Sequence, residues 1–190
     1  MSTLVVKLII MLTLPIVVFL TGALIMSEMC DRGYVTQKLL QLPDPKDRKP
    51  LNQRLRGYDA DKVNRYWGAL DETALRSEQC FLELDLVFPF LYGAALFTSL
   101  LMAWVTLGRP FHPLWITVPV VVTVLADLTE NLIQLGQFGR YIEASEASLQ
   151  IGWIQVASTA TVLKLLFFVG TVLFLVGLVI GVIVHAVKSA

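Results

Sequence analysis

An all-α fold, an integral membrane four-helix bundle with a partly helical extramembrane loop between helices 1 and 2, follows from three observations. The chain is 56% hydrophobic and 16% charged, and its mean hydropathy of +0.69 lies outside the range of soluble domains of this size. Four apolar stretches are long enough to cross about 30 Å of hydrocarbon at about 1.5 Å per residue. The charge is concentrated elsewhere: ten of the fifteen Lys and Arg residues and eight of the fifteen acids lie between Cys30 and Cys80.

The expected spans are Leu4 to Met26, Phe81 to Leu107, Leu114 to Gly136 and Gly152 to Val187, forming a single membrane domain over 1–190, with residues 28–80 as an extramembrane loop or lid. The first span carries Lys7 near its N-terminal end, as a signal peptide would. It runs past about 20 residues, however, and ends in Ser27-Glu28-Met29 without a small-x-small cleavage site, so a retained signal anchor is expected. With an even number of spans, both termini and the Gly108 to Pro113 turn share one face. The long loop and the Gln137 to Ile151 connection share the other. Counting Lys and Arg puts the long loop inside, but its charges are nearly balanced and its length approaches the size at which that rule weakens. Cys30 and Cys80, at the ends of neighbouring antiparallel helices, are close enough in this scheme to be bridged, against the alternative of two unpaired thiols. A bridge implies an oxidising compartment. The expectation is therefore a plasma (inner) membrane protein with an extracytoplasmic loop.

Within the loop, Leu42 to Pro50 has three prolines and five charges in nine residues, which precludes regular structure. Asp59 is a good N-cap for a helix over Ala60 to Leu70, with Val63, Tyr66, Trp67 and Leu70 on one face. That face can pack on the bundle mouth as a lid, lie on lipid headgroups or meet a partner; the lid is preferred. A second start at Asp71-Glu72 is expected to run through Cys80 into helix 2 without a break.

Helix 3 carries the strongest chemical signal. Asp127, Glu130, Asn131 and Gln134 fall at i, i+3, i+4 and i+7, and Thr123 extends the stripe one turn back. Such a face cannot meet lipid, because unpaired polar groups there cost several kcal/mol each. Helix 4 adds Gln155, Ser158, Thr161 and Lys164, the last about 18 Å inside its span, too deep for a casual snorkeller. Helix 2 adds Glu83, Asp85 and Tyr92, with Pro89 between the last two to loosen a backbone carbonyl. Depths measured from the loop side run from about 6 Å for Asp85 through about 9 Å for Glu130 and Ser158 to about 13 Å for Asp127 and Thr161. These groups descend as one funnel open toward the loop.

The functional expectation is a pocket that binds a lipid-like or small amphiphilic ligand and acts on it by carboxylate acid–base chemistry. Asp127 and Glu130 would be the reacting pair, with Lys164 biasing which keeps the proton and Asp85 the fourth charged group. Asn131, Gln134, Tyr92, Ser158, Thr161 and Thr123 would contact the ligand. The alternatives are a cation- or proton-linked binding or transport protein, an accessory subunit of a membrane complex, and a purely structural polar network. Whether the chain is an enzyme stays open. At the level of architecture alone, with no shared motif, a four-span bundle holding an intramembrane acidic pair resembles membrane sterol isomerases.

No cofactor or metal is expected: the funnel has no histidine, and no Gly-rich phosphate loop or nucleophile elbow occurs. Zero net charge without a basic surface argues against nucleic acid. Gly177-x-x-x-Gly181 suits close helix packing or a homo-oligomer contact, packing being preferred. Pro15 and Pro119 are expected to kink helices 1 and 3.

Overall fold

A computed structural model of the chain describes residues 3–45, 48–54, 56–108, 114–144 and 149–189. The turn after Gly108 with His112, and the centre of the Pro-rich loop stretch, lie outside these residues. Among the described residues the chain is all-helical. The helices are α1 (Thr3–Met29), α2 (Arg32–Leu40), α3 (Ala60–Gly68), α4 (Glu72–Leu84), α5 (Phe88–Thr106), α6 (Val118–Ala144) and α7 (Ile151–Ser189), with short 3-10 turns at Leu51–Gln53 and Leu114–Thr117.

Four helical segments are long and apolar enough to cross a membrane: Thr3–Met29, Glu72–Thr106, Trp115–Ala144 and Ile151–Lys188. Along them, α1 packs on α5, α6 packs on α7, and α5 touches both α6 and α7. The outer faces of α1 and α7 expose Ile16, Leu20, Leu24, Leu166 and Leu173, as a helix facing hydrocarbon requires. Gly93 sets the α5–α6 spacing, because a Cβ there would lie 2.5 Å from Val124 Cγ2. Gly181 has Leu107 for a neighbour, whereas Gly177 faces open space.

Three sequence expectations need correction. Helix 2 does not run unbroken from Asp71: α4 ends at Leu84, and a turn over 85–87 separates it from α5. Pro89, in the first turn of α5, has no N–H to give the carbonyl of Asp85 four residues back, so the ladder fails there. Helix 3 extends past Gly136 to Ala144, because Gln137 and Phe138 continue its buried face. Pro119 sits in the first turn of α6, where the missing N–H breaks no intrahelical bond, so it opens the helix instead of kinking it.

The loop is folded down onto the helix ends. Asp59 accepts from Lys62 N at 2.9 Å to start α3, and Asp71 accepts from Ala74 N at 3.0 Å to start α4. The α3 stripe of Val63, Tyr66 and Trp67, with Leu70 beyond the helix end, is buried in a cluster with Phe138, Ile154 and Ala157, and Trp67 lies 5.3 Å from Phe138 and 5.4 Å from Tyr141. Helix α2 had no counterpart in the sequence reading: its nine residues carry almost no amphipathic pattern, and only Val35 and Leu39 are buried. It is entered through Asp31, whose φ of 45° is left-handed, next to a Cys30–Cys80 disulfide with Cα atoms 5.5 Å apart. The Ser77 hydroxyl donates to the Cys30 carbonyl, fastening α4 to the same corner.

Candidate functional site

The polar stripe of α6 faces α5 and α7, and its members meet side chains from both. Lys164 Nζ of α7 lies 2.7 Å from Asp127 Oδ1 and 2.6 Å from Glu130 Oε2. The first contact is a directed hydrogen bond. The second is an ion pair made off the hydrogen-bond line, since Glu130 Oε2 has no hydrogen-bond donor. From α5 the Tyr92 hydroxyl donates to Asp127 Oδ2 at 2.7 Å. Glu130, Asn131 and Thr161 are fully buried, and Asp127 and Asp85 are each 5% exposed.

The broken ladder at Pro89 is repaired from α6. Asn131 Nδ2 donates to the Asp85 carbonyl at 2.6 Å and leans toward Asp127 Oδ1 at 3.4 Å. A buried carbonyl would otherwise go without a donor, so this asparagine joins two helices through a gap that a proline made. Its own Oδ1 is buried and receives no hydrogen bond. The Asp85 carboxyl also makes no hydrogen bond or ion pair among the described residues, although it is nearly buried.

The funnel mouth is closed. Gln134 Nε2 donates to Glu130 Oε1 at 2.8 Å and to the Tyr58 hydroxyl at 2.7 Å. Tyr58 comes from the loop, held by its backbone N–H donating to Ser158 Oγ at 2.8 Å. Gly57 just before it has φ +71°, and a Cβ there would collide with Ser158 Oγ, so both conformation and space demand glycine. Burial, and then the Glu130 charge, raise the Tyr58 phenol above its ordinary range, so it stays a neutral hydrogen-bonding plug. The cavity at this mouth, between Tyr58, Trp67, Gln134 and Ile154, is only about 10 Å³, too small to receive a ligand.

The larger space lies elsewhere. A cavity of about 200 Å³ opens on the flank between α1, α5 and α7, lined by Pro15, Ile16, Phe19, Leu20, Tyr92, Leu96, Phe168 and Val172. Tyr92 and Leu96 are its buried floor, and Ile16 and Leu20 are its exposed rim. Tyr92 therefore belongs to both places: its ring lines the apolar groove while its hydroxyl holds Asp127.

Of the residues singled out from sequence, Asp85, Tyr92, Asp127, Glu130, Asn131, Gln134, Thr161 and Lys164 come together. Ser158 serves the loop plug, and Gln155 is exposed. Thr123 is buried, but its hydroxyl returns to the Pro119 carbonyl at 2.8 Å, and Glu83 is exposed and pairs with Gln79. Two contributors escaped the sequence reading. Tyr58 follows a glycine in irregular loop, where no periodicity marks it. Glu78 sits on the buried Ala74, Glu78, Leu82 face of α4, a spacing that could have flagged it. No group of three or more His, Cys, Asp or Glu residues that could hold a metal ion occurs among the described residues.

Compared with models of known protein families, with curated proteins and with solved structures, the chain matches none of them.

Proposed function

We propose that this protein is a four-helix membrane bundle that binds a lipid-like amphiphile from the bilayer in the flank groove, with the buried cluster receiving its polar end. The observation that carries this reading is the double position of Tyr92, between an apolar groove open on the lipid side and a charged cluster closed on the loop side. The funnel that the sequence predicts to be open toward the loop is stoppered by the Tyr58 plug, which favours entry from the bilayer side. The apolar lining suits a hydrocarbon chain, whose burial is favourable at about 25 cal/mol per Å² relative to water but gains little relative to lipid. Selectivity must then come from the polar end.

Acid–base chemistry on that ligand is the finer reading. Lys164 is nearly equidistant from Asp127 and Glu130, which weakens the idea that it distinguishes them. Asp85, whose carboxyl makes no hydrogen bond or ion pair among the described residues, is the carboxyl better suited to exchange a proton with a ligand. The Cys30–Cys80 bridge supports an extracytoplasmic loop at the plasma membrane, because such bonds persist in oxidising compartments.

The test is native mass spectrometry of the full chain released from gentle detergent, with wild type set against Leu96→Trp, which fills the groove floor. The expected result is a retained lipid-sized species that the variant loses. A bare wild-type protein, or a species held equally by Leu96→Trp, would refute the groove reading.

A further inference from the structure

Resting on that groove reading, we infer that the preferred ligand is a primary long-chain amine, whose ammonium reaches past Tyr92 to Asp127, Asp85 and Asn131 while its hydrocarbon chain fills the groove. Three features of the cluster point to this head group.

The first is charge. Asp85, Asp127 and Glu130 share a buried interior in which the one cation among the described residues is Lys164, which is committed to Asp127 and Glu130. The other cation of this region, Arg32, is paired with Glu78. A buried carboxylate without a counter-charge is costly, and a cationic ligand restores the balance that the chain itself leaves open.

The second is the shortage of donors. Among the described residues, Asn131 Oδ1 is buried and accepts nothing, and the Asp85 carboxyl makes no hydrogen bond. Asp127 Oδ2 would be left open if Tyr92 turned aside. An ammonium carries three N–H donors, one for each of these acceptors. An alcohol brings one donor and no charge, and a carboxylate would add a further anion to the cluster.

The third is the wall the head must pass. Phe19, Tyr92 and Phe168 gather at the groove, with ring centroids 6.1 Å apart for Phe19 and Tyr92, 5.6 Å for Phe19 and Phe168, and 5.9 Å for Tyr92 and Phe168. Ring faces attract cations, so this trio offers a passing ammonium an intermediate station. Phe168 lies one helical turn beyond Lys164, which makes the groove and the cluster consecutive levels of α7.

The experiment loads the full chain, in a nonionic detergent at neutral pH, with dodecylamine, dodecanol or dodecanoate and measures retention by native mass spectrometry, for wild type, Asp85→Asn and Leu96→Trp. Wild type is expected to retain dodecylamine about tenfold or more over the other two, the usual scale of a charge-assisted hydrogen bond. Asp85→Asn, checked for an unchanged melting temperature, should bring the amine down to the level of the alcohol, and Leu96→Trp should abolish retention of all three. Equal retention of the three by wild type, still abolished by Leu96→Trp, would overturn the amine and leave the lipid groove intact. An amine preference that survives Asp85→Asn would also overturn it. Retention of none of them overturns both.

Discussion

The chain holds two buried ionic networks built to opposite plans. Near the loop, Arg32 pairs with Glu78, and Glu78 Oε2 also accepts the Tyr66 hydroxyl at 2.8 Å. Burial opposes the Arg32 charge, but Glu78 beside it and Tyr66 together raise its proton affinity overall, and burial and Glu78 likewise raise the Tyr66 phenol. Here one cation meets one anion, a phenol completes the set, and the Cys30–Cys80 bridge lies in the same corner. Deeper along the helices, one lysine pairs with two of three buried carboxyls, and an amide oxygen has no donor among the described residues. A balanced network is explained by holding the loop against the helix ends. The unbalanced one costs more than interhelical adhesion at about 0.6 kcal/mol per hydrogen bond requires, and that difference is what argues for a ligand in the second place and none in the first.

The contrast can be broken most forcefully at Lys164. Lys164→Met should cost about 3–5 kcal/mol, because it leaves Asp127 and Glu130 as buried carboxylates with no cation. Thermal unfolding of the purified variant would show this as a large fall in melting temperature, and an unchanged melting temperature would mean that these carboxylates are solvated in the folded state. The loop network should respond less. Arg32→Met alone should cost about 3 kcal/mol, the low end of the range for breaking a buried pair, because the stranded Glu78 keeps the Tyr66 hydroxyl as a donor, and adding Glu78→Gln should recover most of it by removing the stranded charge. If the double variant is no better than the single, the pair is not the balanced unit described above.

The smallest effect is expected at the exposed loop ties. Lys38, first through its hydrogen bond, together with Tyr34 and the Ala74 N–H, holds the Asp71 carboxyl below its ordinary range, and the Lys62 N–H does the same for Asp59. A depressed carboxyl contributes stability above its unfolded value of about 3.9 and loses it as pH falls through the lower folded value. The helix starts of α3 and α4 should therefore be indifferent to pH between neutrality and about 4 and loosen only in stronger acid. Hydrogen exchange at Lys62 and Ala74 would follow this. Loosening already near pH 6 would implicate the buried networks instead.

Much of this contrast could be read from the chain. Asp127, Glu130, Asn131 and Gln134 announce a polar face by spacing alone, and the depth of Lys164 places it opposite that face. The α3 stripe with its Asp59 cap was equally plain, since cap and periodicity are local properties. Less visible were the partners. Arg32 and Glu78 are separated by 46 positions, and Tyr58 and Gln134 by 76, and no local pattern links residues so far apart. The groove was hidden for the same reason: Phe19 and Phe168 are ordinary apolar-face residues, and Tyr92 points only to the funnel, until three helices bring the three rings together.

The sequence by itself determined four helices long and apolar enough to cross a membrane, and a polar face on the third that lipid cannot accept, because hydropathy and helical period are written residue by residue. It also determined that Pro89 would free a carbonyl in helix 2. Only the tertiary structure decided that Asn131 takes that carbonyl, that Tyr58 stoppers the mouth from the loop, and that the open space lies on the flank at Tyr92. Each of these depends on which side chains meet across separate helices, and packing, not periodicity, sets that.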